Sequence, residues 1–484
     1  NVSIENNIRD GRLGVLIKGG AGQTVDQNQI TANKNGVVIQ PNPASNAVIS
    51  NNAVTMGATP AGDETGIYMT GVTGGTISGN TVTGFTGRGI GGSLWNNINI
   101  TGNTLDSNRD GVSIWDDSSV VDVTNNQFLD NTRYGVNLKI ADLDITGNTF
   151  DGSGTAAISI SQNVNATDGV RINGNTYLNM AGTAGIDIDN AQNVEISETI
   201  TGATTAIRVR NQSSVAITGS TLSGNSGAGL DVAQSVSLAL TDLTLTGNGA
   251  DSVIDTVGTV TLNTSTGSDE DTVDINTSAI GGDTHFRHTR GAAVQDIVGY
   301  SDVDHLYVNT GDGEDTVNVA PDPTGGATIH LNGGDPTAPT GDTLNYIRDG
   351  TNAFNYGSAL ITTANHKDIQ YSNFETTNVS GDLVLDGSGQ DDVLTITATN
   401  VNSGTYQLTT DSVPGPLVAF SGISSLTFNG LAGDDRLIIN NPAVGLFNPS
   451  GGVVFAGGDG DEDGDGDEME LVGGTATTVE HIFN

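Results

Sequence analysis

The sequence contains no cysteine, only 16 lysine and arginine residues among 484, and 5% aromatic residues. Without cysteine the chain has no disulfide framework, no thiolate metal site and no cysteine nucleophile. The 56 acidic residues leave a net charge of −40. This charge argues against nucleic acid as a partner, because phosphate binding requires the opposite sign. No apolar run reaches about 18 residues, so membrane insertion is not expected.

Glycine, by contrast, is abundant at 68 residues. Many glycines and few large side chains favour a narrow core of Val, Ile and Leu, closed by tight turns. The charge is uneven: residues 1–262 carry 23 acidic and 11 basic side chains, whereas residues 263–484 carry 33 and 5. A surface this acidic either stays solvated or binds cations.

A short motif recurs through residues 1–262. It consists of an aliphatic residue, two polar or glycine residues, Asn, one further residue and an apolar residue. Clear copies lie at 77–82, 100–105, 123–128, 145–150 and 172–177. The motif asparagines are Asn7, Asn28, Asn52, Asn80, Asn103, Asn126, Asn148 and Asn175, and degenerate copies lie near Thr199, Ser220 and Leu243. A period this short accommodates one coil of short strands joined by turns.

A second pattern follows each asparagine within the coil. Gly or Ala is followed by alternating apolar and polar residues, as at 111–115, 135–139 and 185–189. A period of two indicates strands with one buried face. We therefore predict a parallel β-helix of about eleven coils over residues 1–262. The motif asparagines should form a ladder of side chains that are hydrogen-bonded from coil to coil.

These repeats resemble the pectate-lyase-like group of right-handed parallel β-helices, in particular its short Asn-Thr-rich repeat class. The resemblance implies an all-β, right-handed solenoid. It leaves the function open, because the group contains polysaccharide lyases, hydrolases, epimerases, phage tailspikes and non-catalytic adhesins. The Asp-Pro-His signature of the β-helix epimerases is absent.

The outward positions of the second strand in each coil should stack into one column. Polysaccharide-cleaving members of the group use such a face, and a sugar-binding surface needs flat aromatic rings beside polar groups. The carbohydrate-binding candidates are Tyr68, Trp115, Lys139, Asp187 and Arg208. Lys139, Arg208 and Arg210 are the weaker candidates for a catalytic base. Alternatively, Asp187, Arg208 and Asp231 form only an exposed charge ladder of little energetic value.

The repeat changes near residue 263, where acidic, glycine-rich loops run directly into apolar strands at 267–273, 311–317, 387–394 and 430–437. These loops resemble single units of the Gly-Gly-x-Gly-x-Asp calcium repeats of secreted bacterial proteins. They depart from that family in spacing, because its units follow one another closely and share ions between adjacent turns. Here the key aspartates are far more widely spaced, at Asp271, Asp315, Asp392 and Asp435. Residues 263–484 should be all-β, either a continued solenoid, which we slightly favour, or a β-sandwich.

Residues 459–470 match the calcium loop of EF-hand proteins position by position. The metal-ligand candidates are Asp459, Asp461, Asp463, Asp465, Asp467 and Glu470. Alternate carboxylates converge on one ion, while Gly464 permits the sharp turn. The flanking residues indicate strands rather than helices, so we predict a calcium loop inserted between β-strands. The alternative is an acidic tract that holds counterions loosely.

All six histidines lie beyond residue 284, and two of them occur in His-Phe-Arg-His-Thr-Arg at 285–290. This segment could form an anion patch, but a strand with its polar residues in solvent is the favoured interpretation.

Three classes of function are compatible with these features. We favour a non-catalytic, structural or adhesive, extracellular or cell-surface segment of a larger bacterial protein, rigid and stabilised by calcium. Its partners would be Ca²⁺ and either a polysaccharide or further copies of itself. The alternatives are a polysaccharide lyase or epimerase that acts on an acidic polysaccharide, and a carbohydrate-binding module.

Overall fold

The fold is described from a computed structural model of the 484-residue chain. The described residues are all except 1–2, 5–6, 61, 63, 116–117, 140–141, 162–168, 181, 251, 265–268, 278–284, 292, 321–325, 337–340, 348–353, 358–359, 364–366, 443–444, 459–465 and 475–484. These residues form β-strands and connecting turns, which confirms the all-β prediction. Among them, no helix is long and apolar enough to span a bilayer.

The chain separates into two compact units, Asn1–Val260 and Thr261–Asn484. In the first unit each coil contributes strands to three parallel sheets, here called A, B and C in their order after the motif asparagine. Four long strands turn a corner and belong to more than one sheet: Asn7–Ala21, Gln29–Ser50, Leu230–Thr241 and Ser252–Asn263.

Sheet A consists of short strands directly after the motif position. They are Ala53–Met56, Thr81–Thr83, Thr104–Asp106, Gln127–Leu129, Thr149–Asp151, Thr176–Leu178, Thr199–Thr201, Thr221–Ser223 and Thr244–Thr246. Sheet B contains the predicted alternating strands. They are Thr65–Thr70, Arg88–Ser93, Asp110–Trp115, Tyr134–Leu138, Ala156–Ser161, Ala184–Asp189 and Thr205–Arg210.

Sheet C completes each coil. Its strands are Ser3–Ile4, Thr24–Asp26, Val72–Ser78, Asn96–Thr101, Ser119–Thr124, Leu143–Thr146, Val170–Asn173, Val194–Ser197 and Ser214–Thr218. Pairing is parallel from coil to coil, with register shifts between Asn7–Ala21 and Gln29–Ser50 and an interruption of sheet A between Thr176–Leu178 and Thr199–Thr201. Inward residues stack on equivalent ones, as in sheet C, where Ile100 pairs with Val123, which pairs with Ile145. This stacking produces the narrow aliphatic core that the composition indicated.

The motif asparagines from Asn28 to Asn175 lie at the corner between sheets C and A and form the predicted ladder. The assignment of Asn7 is wrong, because Asn7 pairs with Gln29, one position after the ladder residue Asn28. The backbone N–H of Asn80 donates to Oδ1 of Asn103 at 2.9 Å, and the Asn80 Nδ2 donates to the same oxygen at 2.9 Å. The Asn80 Nδ2 also donates to the carbonyl oxygen of Ile49 at 2.8 Å. The arrangement repeats from Asn28 to Asn175, which we call the Asn ladder. Its members that are at most 1% exposed are Asn28, Asn52, Asn80, Asn103, Asn126 and Asn148.

The Asn ladder ends in a carboxylate. The backbone N–H of Asn175 donates to both oxygens of Glu198, and the N–H of Glu198 donates to Oγ of Ser220 at 3.0 Å. The degenerate copy that we assigned near Thr199 therefore has Glu198 at the ladder position. Burial raises the pKa of Glu198 to about 7, against the hydrogen bonds from Asn175.

Thr261–Asn484 is also built from parallel coils, so the solenoid prediction is confirmed and the β-sandwich alternative is wrong. Parallel pairs join, for example, Asp271–Ile275 to Thr316–Val319 and Asp392–Ala398 to Arg436–Asn440. Some coils are long because they include antiparallel hairpins, as where Asp392–Ala398 pairs with Gly404–Thr410. The remaining strands are His285–Arg290, Ala293–Asn309, Asp312–Gly313, Thr328–Asn332, Asp335–Pro336, Thr343–Ile347, Phe354–Gly357, Leu360–Thr363, Ile369–Ser372, Thr376–Asp386, Val413–Leu431, Val453–Gly458 and Glu468–Val472.

The aspartates of the acidic motifs lie inside this second unit, at the beginning of its strands. The backbone N–H of Asp271 donates to Oδ1 of Asp315, and the N–H of Asp315 donates to Oδ1 of Asp342, both at 2.8 Å. The N–H of Asp342 in turn donates to Glu375 Oε2 at 2.8 Å. In a second run the backbone N–H of Asp392 donates to Oδ1 of Asp435, and the N–H of Asp435 donates to Oδ1 of Asp467. We call the two runs together the carboxylate ladder.

The carboxylate ladder repeats the backbone-to-side-chain hydrogen bond of the Asn ladder but lacks the amide donor. The second carboxylate oxygens of Asp271, Asp315, Asp342 and Asp435 are buried and have no hydrogen-bond partner in the described part of the chain. Burial raises the pKa of Asp315 to about 6 and also raises the pKa of Asp342 and Asp435. The pKa of Asp271 is instead lowered, against its burial, by hydrogen bonds that include one with His288.

Glycine makes room for these carboxylates. A Cβ built at Gly387 or Gly430 would clash with the second oxygen of Asp392 or Asp435. The Gly-x-x-x-x-Asp spacing of these two motifs therefore has a packing role in the fold, because the carboxylate rests against the glycine that precedes it by five residues.

We expect Asn126→Leu to lower the free energy of unfolding by about 1–3 kcal/mol, because buried polar groups on both adjacent coils lose their partner. Chemical denaturation of the full chain measures this change. The control is Gln127→Leu at the adjacent exposed position, which should have little effect. Equal stability of the two variants would contradict the role of the Asn ladder.

We expect Asp315→Asn to stabilise the protein at neutral pH. The folded-state pKa of Asp315, about 6, exceeds its ordinary value of 3.8. The contribution of this carboxyl to stability is therefore complete below about pH 3.8 and is lost as the pH rises through 6. The variant should gain up to about 3 kcal/mol relative to the wild type at pH 8, and this gain should vanish near pH 4.

Denaturation curves across this pH range measure the gain, with Asp312→Asn at an exposed position as the control. A variant that is less stable than the wild type at pH 8 would show that the Asp315 charge is required, as a bound cation would demand.

Candidate functional site

The outward face of sheet B carries the predicted carbohydrate candidates in two adjacent columns. One column reads Tyr68, Gly91, Ser113, Asn137, Ser159, Asp187, Arg208 and Asp231. The other reads Thr70, Ser93, Trp115, then Ser161, Asp189 and Arg210. Lys139 lies on the coil after Trp115, where its backbone N–H donates to the Ile114 carbonyl at 3.0 Å.

An arginine that sequence reasoning missed lies over the tryptophan of this face. The guanidinium carbon of Arg88 lies 3.9 Å from the centroid of the Trp115 ring, which is a cation–π contact. Arg88 crosses Gly91 to reach the ring, and a Cβ at Gly91 would lie 2.8 Å from Cδ of Arg88. The absence of a side chain at residue 91 therefore permits this contact.

Tyr68, Arg88 and Trp115 are half-buried, and Lys139 is exposed. Together these four residues form what we call the Arg88–Trp115 patch. Next to it, the small residues of the first column form a shallow floor: Gly91, Ser113, Asn137 and Ser159. The patch combines aromatic rings with two cationic groups in a chain of strongly acidic composition.

Ion pairs also involve two further arginines of sheet B. Arg208 donates to both oxygens of Asp187, at 2.9 and 2.6 Å, and Arg210 pairs with Asp231. The hydrogen bond to Asp187 raises the pKa of Arg208, against its partial burial. The predicted succession of charges on neighbouring coils is present, and it consists of discrete pairs.

A third ion pair, between Arg133 and Asp110, was also not predicted from the sequence, and its carboxylate is more deeply buried. Arg133 donates to both oxygens of Asp110, at 2.8 and 2.7 Å, and Asp110 is fully buried. This hydrogen bond raises the pKa of Arg133. No sequence signal identified this pair, because Asp110 precedes one copy of the alternating strand pattern and Arg133 precedes the next copy.

The five carbohydrate candidates divide into two groups. Tyr68, Trp115 and Lys139 lie within three coil steps, whereas Asp187 and Arg208 lie two and three steps beyond Lys139. At about 4.8 Å per step, Tyr68 and Arg208 are roughly 29 Å apart along the coil axis. Only an extended ligand lying along the axis could contact both groups.

Sheet C presents a second polar row on its outward face, which includes Asp122, Asp144, Arg171 and Glu195 on successive coils. Burial, and then the neighbouring Asp144, raise the pKa of Asp122. Arg171 binds Asp144 at 2.8 Å and also lines a cavity of about 340 Å³ with Glu195 and Thr218. Only the outward positions of sheet B were predicted from the sequence, and this row was not.

Four of the predicted calcium ligands, Asp459, Asp461, Asp463 and Asp465, lie outside the described residues. The flanks of the loop are strands, Val453–Gly458 and Glu468–Val472. Asp467 accepts the backbone N–H of Asp435 at 3.0 Å, and Glu470 accepts a hydrogen bond from Arg436 at 2.6 Å. Each of these two carboxylates therefore already accepts a hydrogen bond from the protein at one of its oxygens.

The favoured solvent-exposed interpretation of residues 285–290 is wrong for His288, although the segment is a strand. His288 is buried, and its Nε2 lies 2.9 Å from Oδ1 of Asp271. Arg290 lies 3.3 Å from the same oxygen, and Arg287 pairs with Asp274. Arg287 and Arg290 pair with acidic side chains of the neighbouring strand instead of forming an anion patch.

Comparison with solved structures returns proteins that are distant in sequence. The full-length tailspike protein 2 from Escherichia coli O157:H7 bacteriophage CAB120 is 11% identical, with a TM-score of 0.23 over 84% of this chain. The chain spans 48% of the tailspike's length. The catalytic domain of a GH87 α-1,3-glucanase, in complex with tetrasaccharides, is 12% identical, with a TM-score of 0.16; the match covers 97% of this chain and 63% of the glucanase domain.

No curated protein sequence matches the chain. The family model for the right-handed β-helix region matches residues 1–128 and 110–269, which together exceed half of the chain. This match agrees with the three parallel sheets and the Asn ladder of the first unit. The chain therefore belongs to the right-handed β-helix family.

Proposed function

We propose that the chain is a non-catalytic, adhesive segment of a larger bacterial extracellular or cell-surface protein, in which the solenoid is a rigid scaffold for polysaccharide binding. The observation that carries the proposal is the contact of Arg88 with Trp115 on the outward face of sheet B. The polysaccharide would lie along the coil axis, over the floor of small residues.

The chemistry of the Arg88–Trp115 patch supports a sugar ligand. Pyranose rings pack against aromatic faces, and the surrounding polar groups bind their hydroxyls. Arg88 and Lys139 add positive charge, which suits a uronate or another anionic sugar. A chain with a net charge of −40 repels polyanions in general, so binding of an acidic polysaccharide would depend on the local positive charge of Arg88 and Lys139.

The ion pairs on sheet B support binding without cleavage. A lyase needs a basic group that accepts a proton from the substrate. Arg208 and Arg133 are held in bidentate pairs that raise their pKa, which makes the neutral, basic form less accessible. Lys139 is exposed beside Trp115 and is the candidate base that favours the alternative, a lyase or epimerase.

We expect Trp115→Ala and Arg88→Ala each to weaken binding of an acidic polysaccharide by roughly tenfold or more, because each removes one half of the cation–π pair. Affinity electrophoresis and calorimetry with acidic and neutral polysaccharides measure this. Leu178→Ala, an exposed apolar position on sheet A, is the matched control.

Unchanged affinity in both variants would exclude the patch as the binding site. The same mixtures should be monitored for products. Unsaturated products that disappear in Lys139→Ala would establish the lyase alternative, and new reducing ends would direct attention to Asp122 and Asp144 on sheet C.

We further propose that Ca²⁺ stabilises the second unit at residues 459–470. The support is the EF-hand-like spacing of carboxylates and the position of the loop between two strands. Because Asp467 and Glu470 have protein partners, we assign the main ligand role to the preceding aspartates, Asp459, Asp461 and Asp463.

Calcium should raise the thermal unfolding temperature of the full chain, since it binds the folded state preferentially. The double variant Asp461→Asn, Asp463→Asn should lose most of this increase. Asp411→Asn and Asp312→Asn at exposed positions, combined as a control, should retain it. An equal calcium response in both double variants would contradict a specific site and indicate loose counterion binding.

A further inference from the structure

Two histidines face each other on the surface of the second unit. His305 lies in the strand Ala293–Asn309 and His330 in Thr328–Asn332, which pair in parallel. Nδ1 of His305 lies 3.2 Å from Nε2 of His330. His305 is exposed and His330 is partly exposed, so water reaches the pair from the outside of the sheet.

Neighbouring side chains hold the His330 ring in place. The ring of Tyr307 stacks on it, with centroids 4.2 Å apart and planes 6° apart. The side chain of Gln370, on the adjacent strand Ile369–Ser372, forms a hydrogen bond with the same ring. Such an outer hydrogen bond fixes the orientation and tautomer of a metal-binding imidazole.

We propose that His305 and His330 form a two-imidazole chelate for a divalent transition-metal ion, Cu²⁺ most strongly, with water completing the coordination. Two nitrogens at about 2.0–2.1 Å from one ion, at angles between square-planar and tetrahedral, lie roughly 2.9–3.4 Å apart. The 3.2 Å separation falls in this range without movement of the backbone. No group of three or more His, Cys, Asp or Glu suited to a metal occurs among the described residues, so we assign two protein ligands.

The hydrogen bond with Gln370 also determines which nitrogen of His330 can bind a metal. A His330 ring that gives its Nδ1 proton to Gln370 keeps Nε2 available. For its Nδ1 to bind the same ion, His305 then has to carry its proton on Nε2, so binding requires only a tautomer change in one exposed ring.

Imidazole ligands select Cu²⁺, Ni²⁺ and Zn²⁺, and affinity among divalent ions peaks at Cu²⁺. Carboxylates dominate the rest of this acidic unit and favour Ca²⁺ and Mg²⁺. The pair therefore differs in metal preference from the calcium loop proposed above, and the two sites can be tested separately in one sample.

The test is titration of the full chain with Cu²⁺ in excess Ca²⁺, which saturates the carboxylates. Calorimetry should find one Cu²⁺ site, and electron paramagnetic resonance should show coupling to two imidazole nitrogens. His305→Ala and His330→Ala should each weaken binding at least about tenfold and leave one coupled nitrogen. Because both side chains lie on the surface, circular dichroism should show unchanged folding.

His285→Asn is the matched control, since His285 lies on a different strand, and it should bind Cu²⁺ as the wild type does. Wild-type affinity in both His305→Ala and His330→Ala, or a spectrum with oxygen ligands alone, would overturn the proposal. Either result would leave the contact between the two rings as a hydrogen bond without a metal.

Discussion

The fold of both units depends on one hydrogen bond, from the backbone N–H of a corner residue to the side-chain oxygen of its equivalent on the next coil. At a corner the chain leaves one sheet before it enters another, and its N–H is buried without a strand partner. An unpaired buried N–H costs about 1–3 kcal/mol, and without a side-chain acceptor a solenoid would incur this cost on every coil. The N–H of Asn80 is satisfied by Oδ1 of Asn103, and the N–H of Asp315 is satisfied in the same way by Oδ1 of Asp342.

The two ladders differ in what the remaining side-chain atom does. In the Asn ladder, Nδ2 of Asn126 donates to Oδ1 of Asn148 and to the carbonyl oxygen of Ile100. The side chain is therefore fully hydrogen-bonded and carries no charge. In the carboxylate ladder the equivalent atom of Asp315 is an oxygen with no partner among the described residues. Most of the Asn ladder therefore carries no titratable group, whereas the carboxylate ladder includes Asp315, Asp342 and Asp435, whose pKa is raised. Glu198 is the exception in the first unit, a single acid within an amide column.

Much of the first unit was predictable because its short repeat period and its alternating strands are local features of the sequence. The asparagine corner, the coil of short strands and the partial exposure of Trp115 all follow from that period. The Arg88 contact did not follow, since it requires knowing that Gly91 lies between the arginine and the ring on the next coil. In the second unit, hairpins such as Asp392–Ala398 with Gly404–Thr410 lengthen the coils and hide the period. The aspartates there resembled calcium ligands because a buried ladder and a metal loop both require Gly and Asp at short spacing.

The ladder corner also determines how such a chain can change length. The spacing between successive ladder asparagines varies from coil to coil, yet every corner from Asn28 to Asn175 has the same geometry. Extra residues are accommodated between the corners. Gain or loss of an entire coil leaves each remaining asparagine with an equivalent neighbour, whereas a single residue inserted at a corner removes the acceptor of the coil before it. This architecture can consequently lengthen by whole repeats without losing its interior, whereas smaller insertions are tolerated only between the corners.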